Sequence, residues 1–412
     1  MKLAFFFLII IVFIAGCAKE PDPNRQSQVF ITSIAPSSGS AGTTVVIKGA
    51  NFGVDVKDNV VMFNKDSAAV VAASGDSLIV IAPAKGTSGP VSVSVGGSVA
   101  TGPVFTYTAD SVDVYVAAPA MGVVYWKNGK EVFLEPTEGN TGGAFGLAVS
   151  DTDVYVGSYT YSSLYPAFRA AVWKNRTKTF LSSPDRPGEV RAIALSGKDV
   201  YAGGREDDNP VYWKNGVRNV LPIAGRGYAR VDGLSITGND MYACGFKTGP
   251  NNEVYCVYWK NGVETVVGKT GFTSGINDLG VSSIAVNGSD VYVCATDSGG
   301  PGYWKNGVRI MLEKFPPYVT VESIAIAIAG SSVYVVGSYN GDPVYWKDGI
   351  RTALPKRALY ASASAITFYQ SDIYIGGRDG DIPVYWKNGV EVSLCCREYA
   401  RVSAIVVVKQ KR

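Results

Sequence analysis

The sequence predicts an all-β protein in which a small N-terminal domain precedes a larger array of repeats. The chain of 412 residues contains 47 glycines and 24 tyrosines, and only 18% of its residues are charged. This composition is typical of short strands joined by tight turns, because β-branched and aromatic residues favour strands and glycine favours turns. The phrase "PVYWKNGV" at 210–217 returns unchanged at 383–390, and near copies occur elsewhere. The length and the repeats favour more than one core.

The first residues read "MKLAFFFLIIIVFIAGC" and have the order of a secretory signal: a basic residue, an apolar run and small residues. The apolar run at 3–14 is shorter than the roughly 20 residues that cross a bilayer. The phrase "IAGC" resembles the bacterial lipobox. That resemblance implies cleavage before Cys17 and attachment of lipid to its thiol. An ordinary signal peptide followed by an incidental cysteine is the alternative.

The residues after Cys17 indicate which of the two bacterial membranes would hold the lipid anchor. Ala18 stands where an aspartate would resemble an inner-membrane retention signal, so the outer membrane is favoured. The following "KE" resembles the charged export tag of surface lipoproteins in Bacteroidetes, and "KEPDPNRQSQ" is typical of a proline-stiffened tether. We therefore expect a signal peptide at 1–16 and a lipidated tether at 17–28. The expected location is the outer membrane, facing the periplasm or the cell exterior.

Residues 29–108 alternate between apolar and polar side chains in short runs that Gly, Pro, Ser and Asp interrupt. The phrases "GTTVVIKGANFG", "IAPAKGTSGPVSVSV" and "FTYT" resemble the IPT/TIG domain, an immunoglobulin-like sandwich, along nearly the whole segment. Domains of this family serve as spacers, dimer contacts or ligand-binding modules. The resemblance implies mainly a spacer that lifts the following unit from the membrane. Gly39, Gly42 and Gly49 are expected at turns with positive φ.

The second part of the chain, 109–412, carries all seven tryptophans at separations of 40 to 47 residues. That spacing matches the blade period of a β-propeller. Each repeat contains phrases similar to "SIAV", "DVYV" and "VYWK", followed by Asn-Gly and a further apolar strand. Asn-Gly is the preferred two-residue hairpin turn, so these phrases predict a four-stranded blade. The tryptophans, which we expect to pack between blades rather than to hold sugars, are Trp126, Trp173, Trp213, Trp259, Trp304, Trp346 and Trp386.

Two repeats depart from the Asn-Gly turn. Arg176 replaces the glycine of one turn, where a side chain at positive φ should cost about 1 kcal/mol. Asp348 replaces the asparagine of another turn, which the turn should tolerate.

The two ends of the repeat region complement each other. The region begins with "DSVDVYV" and has no "SIAV" phrase before it, whereas the chain ends in "VSAIVVV" with no "DVYV" phrase after it. The missing strand of the first blade is therefore expected at the C-terminus, where it closes the ring and removes an exposed sheet edge. The predicted fold is an immunoglobulin-like IPT/TIG sandwich followed by a seven-bladed β-propeller closed by the C-terminal strand. A solenoid, the alternative, would show capping repeats.

Candidate ligand-binding residues lie in the connections between the second and third strands and between successive blades. These connections are predicted to be long and varied and to share one face, whereas the other turns are short and uniform. Tyrosine and arginine recur in them and offer flat apolar faces with directed hydrogen bonds, which suits a glycan or a protein partner. The candidates are Tyr161, Tyr165, Arg191, Arg205, Tyr228, Arg230, Tyr318, Tyr360, Arg378, Tyr399 and Arg401.

Other chemistries find less support in the sequence. Histidine is absent, which excludes Ser-His-Asp catalysis and histidine-ligated zinc. The net charge of +3 provides no basic footprint for nucleic acid. The phrases "EDD" and "DGD" leave calcium as a minor alternative, and we expect no cofactor and no resident metal.

The predicted function is that of a non-catalytic, lipid-anchored binding protein of the envelope or cell surface. The alternative is a carbohydrate-active enzyme that uses a pair of carboxylates, such as Asp207 and Asp379. A purely structural role in the envelope is a third hypothesis. Cys244 and Cys256 belong to adjacent strands of one predicted blade and are the candidate disulfide, since an exported protein meets an oxidising compartment.

Overall fold

A computed structural model of the protein describes residues 28–83, 86–108, 111–120, 122–135, 142–162, 165–225, 227–251, 253–269, 281–295, 300–314, 320–394 and 400–410. Their contacts divide them into two compact units, of which the first ends at Ser111 and the second begins at Val112. Strands make up nearly all of the described regular structure in both units, as the composition predicts. Cys17 and nearly all of the tether lie outside the described residues.

The N-terminal unit is a sandwich of eight strands around one core. Their hydrogen-bonded order is β1-β3-β6-β5-β4-β7-β8-β2, and all pairs are antiparallel except the short pairing of β2 with β8. A 3-10 turn at Val56–Asp58 precedes β4. The strands are β1 (Phe30–Ala35), β2 (Ser38–Gly39), β3 (Thr44–Ala50), β4 (Asn59–Phe63), β5 (Asp66–Ser74), β6 (Ser77–Ile81), β7 (Gly89–Val95) and β8 (Ser98–Tyr107).

The core of the sandwich follows from the alternation of side chains along each strand. Val45 and Ile47 of β3 are fully buried, and they lie opposite the equally buried Val80 and Leu78 of β6. Phe63 of β4 enters the same core from the other side of the sandwich. Successive side chains of a strand point to opposite faces, so the predicted period of two places one face inside and the other in solvent.

Only one of the three glycines expected at positive φ adopts it. Gly42 has a φ of 79°. A Cβ atom at Gly49 would lie 2.1 Å from the carbonyl oxygen of Phe30, and one at Gly39 would lie 2.4 Å from the side chain of Thr43. The expectation was wrong for Gly39 and Gly49, because a close approach between segments requires glycine there rather than a turn.

The second unit consists of seven four-stranded antiparallel sheets, the blades, whose strands we call A to D from the inside of the ring outward. Blade 1 contains β36 (Ala404–Lys409), β9 (Val112–Ala117), β10 (Val124–Lys127) and β11 (Lys130–Phe133). Blade 2 contains β12 (Gly142–Ser150), β13 (Asp153–Ser162), β14 (Tyr165–Lys174) and β15 (Thr177–Phe180). Blade 3 contains β16 (Gly188–Ser196), β17 (Asp199–Glu206), β18 (Asn209–Lys214) and β19 (Val217–Val220).

The other four blades follow in chain order. Blade 4 contains β20 (Ala229–Thr237), β21 (Asp240–Thr248), β22 (Val254–Lys260) and β23 (Val263–Lys269). Blade 5 contains β24 (Val281–Asn287), β25 (Asp290–Ala295), β26 (Gly302–Lys305) and β27 (Val308–Met311). Blade 6 contains β28 (Val321–Ala329), β29 (Ser332–Tyr339), β30 (Asp342–Lys347) and β31 (Ile350–Ala353). Blade 7 contains β32 (Ala361–Tyr369), β33 (Asp372–Asp379), β34 (Ile382–Lys387) and β35 (Val390–Ser393).

The ring of blades is closed. The A strands of successive blades contact one another from β12 to β32, and β36 contacts both β32 and β12. Within blade 1, β36 pairs antiparallel with β9, from Ala404 opposite Ala117 to Lys409 opposite Val112. The C-terminal strand therefore supplies the missing inner strand of the first blade. The prediction of a seven-bladed propeller closed in this way is confirmed.

The A strands of blades 2 to 7 begin with a bulge that the sequence analysis did not predict. Their pairing with the B strands shifts by one residue at the same place in each blade, for example at Arg191 of β16. The bulge brings the two strands close together: a Cβ atom at Gly204 would lie 1.8 Å from the carbonyl oxygen of Glu189. A side chain at Gly204 would therefore clash with the backbone of Glu189, and the inner strands extend into segments that were predicted as connections.

The Asn-Gly turns explain why the repeated phrases occur together. In blade 4, Oδ1 of Asn261 accepts a hydrogen bond from the backbone N–H of Met241 at 2.8 Å, and Nδ2 donates to Asp240 at 2.7 Å. Lys260 forms an ion pair with the same aspartate at 3.1 Å and lies over the ring of Tyr242. The same asparagine bonds recur in blades 1, 2, 3, 5 and 7. The turn residues thus hold the start of the B strand in its blade.

The two departures from Asn-Gly have different outcomes. In blade 6, Asp348 accepts the backbone N–H of Val333 at 2.8 Å, and Ser332 occupies the place of the usual aspartate, so two carboxylates do not meet. In blade 2, Asn175 has a φ of 57°, whereas Arg176 is not among the described residues with positive φ. The strain expected at Arg176 is therefore absent. Positive φ at the first turn position alone is the feature of a type II′ turn, which accepts a side chain at the second position.

We expect the substitution Asn261→Ala to lower the free energy of unfolding by about 1–3 kcal/mol, because the buried N–H of Met241 loses its acceptor. Denaturant unfolding followed by tryptophan fluorescence measures this change. Asn239→Ala in the exposed turn between strands A and B of the same blade is the matched control, with an expected change within about 0.5 kcal/mol. Equal losses in the two variants would contradict the role of the asparagine side chain.

All seven indoles are buried between neighbouring blades. The cluster around each indole includes residues of the preceding blade. Trp259 of blade 4 packs with Leu221, which follows the last strand of blade 3, and its Nε1–H donates to the carbonyl of Pro222 at 2.7 Å. Trp126 of blade 1 packs with Leu394 of blade 7, across the closure of the ring. Side chains placed in this way are not available as platforms for sugars.

Cys244 and Cys256 do not form the candidate disulfide. Phe246 lies opposite Cys256 in the pairing of β21 with β22, so the two cysteines are diagonal neighbours. Diagonal positions lie roughly 7–8 Å apart, which exceeds the usual Cα separation across a disulfide. Cys244, Cys256 and Cys294 are buried thiols, and burial raises the pKa of Cys244 well above its ordinary value. The disulfide prediction was wrong because a two-residue offset separates the partners.

Candidate functional site

Charged side chains converge where the inner strands of blades 3 and 4 begin. β16 supplies Glu189 and Arg191, the end of β17 supplies Arg205, and β20 supplies Arg230 and Asp232. We call these five residues the arginine cluster. A strands begin and B strands end on the same face of the ring, opposite the face of the Asn-Gly turns. The arginine cluster therefore lies at one end of the inner wall of the propeller.

Glu189 is the centre of the arginine cluster. Its Oε1 accepts a hydrogen bond from Nε of Arg205 at 3.0 Å and another from Nη1 of Arg230 at 3.3 Å, and its Oε2 accepts one from Nε of Arg191 at 2.9 Å. Nε of Arg230 also donates to Oδ1 of Asp232 at 2.7 Å. One carboxylate thus binds three guanidinium groups that come from three different strands.

Burial divides the arginine cluster into an inner and an outer part. The side chains of Arg230, Glu189 and Asp232 are 4%, 7% and 8% exposed. Those of Arg191 and Arg205 are 22% and 17% exposed. The two outer arginines therefore reach solvent from a base of buried, paired charges that fixes their position.

Each arginine of the cluster lies on an aromatic ring. A guanidinium group over a ring face is attracted by the quadrupole of the ring, and the contact also orients the planar group. The distances from guanidinium carbon to ring centroid are 4.1 Å for Arg191 on Phe145, 5.3 Å for Arg205 on Tyr228 and 4.9 Å for Arg230 on Phe246. Two of the rings, those of Tyr228 and Phe246, lie 5.7 Å from each other. The site thus combines fixed positive charge with flat apolar surface.

The two carboxyl groups of the arginine cluster respond differently to burial. Burial alone would raise the pKa of Glu189, but Arg191, Arg230 and Arg205 outweigh it, so that pKa lies below its ordinary value. Burial raises the pKa of Asp232 above its ordinary value although Arg230 and Arg191 oppose it. Oδ2 of Asp232 is buried and has no hydrogen-bond partner in the described part of the chain. The cluster therefore carries at least one positive charge in excess at neutral pH.

Four of the predicted ligand residues, Arg191, Arg205, Tyr228 and Arg230, come together in this site. Sequence reasoning missed the carboxylates of Glu189 and Asp232 and the rings of Phe145 and Phe246. A signal for the carboxylates was present: glutamate and arginine alternate in "GEVRA" at 188–192, as arginine and aspartate do in "ARVDG" at 229–233. Alternate residues of a strand share one face, so each phrase predicts an ion pair if the segment is a strand.

The remaining candidates lie elsewhere. Tyr360 is exposed immediately before β32, Arg378 is half-buried in β33, and Arg401 is half-buried before β36. None of these three belongs to the arginine cluster. Tyr161 and Tyr165 lie on β13 and β14, but the structure does not describe their side chains. Tyr318 and Tyr399 lie outside the described residues.

The connections between strands B and C are shorter than predicted. β17 ends at Glu206 and β18 begins at Asn209, and two residues likewise join β33 to β34. The predicted loop at 158–170 is mostly a continuation of β13 and β14. Arg205 and Arg378 therefore lie on strands rather than on loops. The prediction was wrong because charged residues were taken as loop residues, whereas Glu189 neutralises Arg205 directly across the strand pair.

The two carboxylates considered for an enzyme lie in different surroundings. Asp379 is buried, and its two oxygens accept the backbone N–H groups of Arg357 and Ala358 at 2.7 Å and 2.9 Å. Asp207 belongs to the turn between β17 and β18, where it is partly exposed and lies 3.9 Å from Arg186. Asp379 thus anchors the connection that precedes β32, a role that accounts for its position without catalysis.

The described residues show neither a metal-ligand cluster nor a membrane-spanning helix. Within the described ranges, no three His, Cys, Asp or Glu side chains are grouped as ligands for a metal ion. No helix among the described residues has the length and apolar character needed to cross a bilayer.

Comparison with known proteins identifies the N-terminal unit. Residues 30–107 match the family model of the IPT/TIG domain. Strands β1 to β8 therefore form an IPT/TIG domain, as the sequence phrases indicated. This match covers the N-terminal domain alone, and no match to the sequence was found among curated proteins.

Three solved structures from Bacteroides are similar over most of the chain. A protein of unknown function from Bacteroides thetaiotaomicron is 15% identical, with 94% of this chain and 99% of that chain covered and a TM-score of 0.45. An auxiliary nutrient binding protein from Bacteroides ovatus is 15% identical, with coverage of 89% and 86% and a TM-score of 0.31. Another so described, from Bacteroides thetaiotaomicron, is 15% identical, with coverage of 76% and 96% and a TM-score of 0.23. Likeness at this level establishes no shared ligand.

Proposed function

We propose that the protein is a non-catalytic binding protein, anchored by lipid at Cys17 to the outer membrane, whose propeller recognises a glycan or a partner protein. The IPT/TIG domain serves as the spacer between the anchor and the propeller. The single observation that carries the proposal is the arginine cluster with its aromatic rings. Three guanidinium groups are fixed on rings at one face of the propeller, and two of them reach solvent.

Arginines held in place beside aromatic rings are suited to binding a ligand rather than to cleaving a bond. Arginine presents a rigid set of donors, and an aromatic ring presents a flat apolar face. Of the two carboxylates considered for hydrolysis, Asp379 holds two backbone N–H groups, whereas Asp207 lies in a partly exposed turn. The geometry therefore favours binding over the enzymatic alternative.

The anchor is tested by the substitution Cys17→Ser. Without the thiol that takes the lipid, the protein should move from the membrane fraction to the soluble fraction of cells, while the wild type stays with the membrane. A Cys244→Ser variant, which removes a buried thiol of the propeller, is the control and should stay membrane-bound. Retention of the Cys17→Ser variant in the outer membrane would contradict lipid anchoring.

The binding role is tested with the full-length chain purified in detergent. Fluorescently labelled protein is applied to an array of glycans and of cell-surface proteins. The proposal expects a saturable signal for at least one class. Absence of any signal would contradict it, and release of shortened oligosaccharides during incubation would favour the enzyme instead.

A further inference from the structure

The outer arginines of the arginine cluster have donors left over. Arg191 uses Nε and Nη2 on Glu189, and Arg205 uses Nε on Glu189 and Nη1 on the backbone carbonyl of Asp207. Within the residues that the structure describes, Nη1 of Arg191 and Nη2 of Arg205 have no acceptor. Both groups belong to side chains that are partly exposed, so an acceptor from outside the protein can reach them.

The charges of the arginine cluster select the sign of the charge on that acceptor. Three guanidinium groups face two carboxyl groups, of which Glu189 remains ionised and Asp232 is shifted towards its neutral form. The excess is at least one positive charge, which favours an anionic ligand such as a carboxylate. The planar fork of a guanidinium group also matches a planar carboxylate.

The aromatic rings of the site indicate which kind of molecule carries the carboxylate. Phe145 and Tyr159, which stack at 5.6 Å, and Tyr228 are partly exposed beside the arginines, whereas Phe246, 5.7 Å from Tyr228, is fully buried and only supports that ring. Flat apolar faces next to charged donors suit a pyranose ring with an attached carboxylate. An acidic peptide would need carboxylates but has less use for the partly exposed ring faces of Phe145, Tyr159 and Tyr228.

We propose that the arginine cluster binds the carboxylate of an acidic sugar, so that the ligand of the propeller is a glycan that contains uronic acids. The inference rests on the proposed binding function and names the class of its ligand. Arg191 and Arg205 hold the carboxylate through Nη1 and Nη2, and Glu189 and Arg230 are positioning residues that keep these two groups in place. Because both contacts are partly exposed, binding weakens as the salt concentration rises.

Isothermal titration of the full-length chain in detergent, at low salt, tests the inference with three probes. These are tetragalacturonate, the same tetrasaccharide after reduction of its carboxyl groups to alcohols, and tetraglutamate. We expect tetragalacturonate to bind at least about tenfold more tightly than either of the other probes, a difference of about 1.4 kcal/mol. Equal binding of the neutral sugar would overturn the assignment of an acidic ligand while leaving the binding role intact. Stronger binding of tetraglutamate would overturn the assignment of a sugar.

Variants decide whether the arginine cluster is the site. Arg191→Lys combined with Arg205→Lys retains both charges but removes the two free guanidinium donors, so it should weaken tetragalacturonate binding at least about tenfold. Thermal unfolding of this variant is measured in parallel. Lys198→Ala removes a positive charge from the opposite face of the same blade and should bind as the wild type does. Wild-type affinity in the double variant overturns the inference, and a lack of binding to every acidic and neutral glycan on an array overturns both the inference and the proposed function.

Discussion

Deletion of residues 404–412 should abolish the cooperative folding of the propeller. The deletion removes β36, so β9 keeps β10 but loses its partner on the inner side, and the A strands of blades 7 and 2 lose the neighbour that closes the ring. Ile405 and Val407 leave the cluster that contains Trp126. Burial of these two side chains alone contributes about 3–6 kcal/mol, a large share of the roughly 5–15 kcal/mol that stabilises a typical domain.

Near-ultraviolet circular dichroism measures this loss, because all seven indoles lie between blades and their signals require fixed packing. A shorter deletion of residues 411–412 keeps β36 and is the control, for which we expect the wild-type spectrum and melting curve. A 404–412 deletion variant that melts cooperatively with the wild-type spectrum would show that the C-terminal strand does not close the ring.

The substitution Glu189→Ala should lower the free energy of unfolding by about 3–5 kcal/mol, because it leaves three arginines without the carboxylate that neutralises them. Arg230 is affected most, since its side chain is almost completely buried. Asp185→Asn changes an exposed carboxylate just before β16 and should alter stability by less than about 0.5 kcal/mol. Denaturant titration of the two variants measures the difference, and a loss of similar size in both would contradict the central position of Glu189.

The effect of Glu189 should also depend on pH. Its folded-state pKa lies below the unfolded value of about 4.3, so its contribution to stability is fully present above that value. The contribution is lost as the pH falls through the folded-state pKa. The stability difference between the wild type and Glu189→Gln should therefore be constant near pH 7 and shrink as the pH falls below about 4. A difference that stays constant down to pH 2 would contradict the ionised state of Glu189 in the folded protein.

The architecture of the propeller was predictable because its signals are local and repeated. The spacing of tryptophans such as Trp213 and Trp259, the Asn-Gly turn and the complementary ends of the repeat region depend only on neighbouring residues. The hydrogen bonds of Asn261 show why. This one turn residue forms hydrogen bonds with Asp240 and Met241, the first two residues of the adjacent strand in the same blade. Signals of this kind do not require knowledge of how the blades are arranged.

The candidate site was predicted only in part, because it depends on contacts between blades. Glu189 and Arg230 are 41 residues apart and meet only when two blades pack. The bulge at Arg191 has no sequence signature, and without it the strand ends were taken as connections. The disulfide prediction failed for a related reason. Cys244 and Cys256 lie on adjacent strands, but the sequence does not reveal which residues of the two strands lie opposite each other. The contacts of Glu189 with Arg205 and Arg230 likewise depend on register and on packing between blades, whereas its alternation with Arg191 is visible in the sequence.

The central claim is that the face of the arginine cluster, not the face of the Asn-Gly turns, binds the ligand. Amide hydrogen exchange of the full-length chain, with and without saturating tetragalacturonate, tests it most directly. We expect slower exchange in the bound state at 188–192, 204–207 and 228–233, with no change at the Asn-Gly turns or within the IPT/TIG domain. Protection at the Asn-Gly turns or within residues 30–107, with none at the arginine cluster, would contradict it.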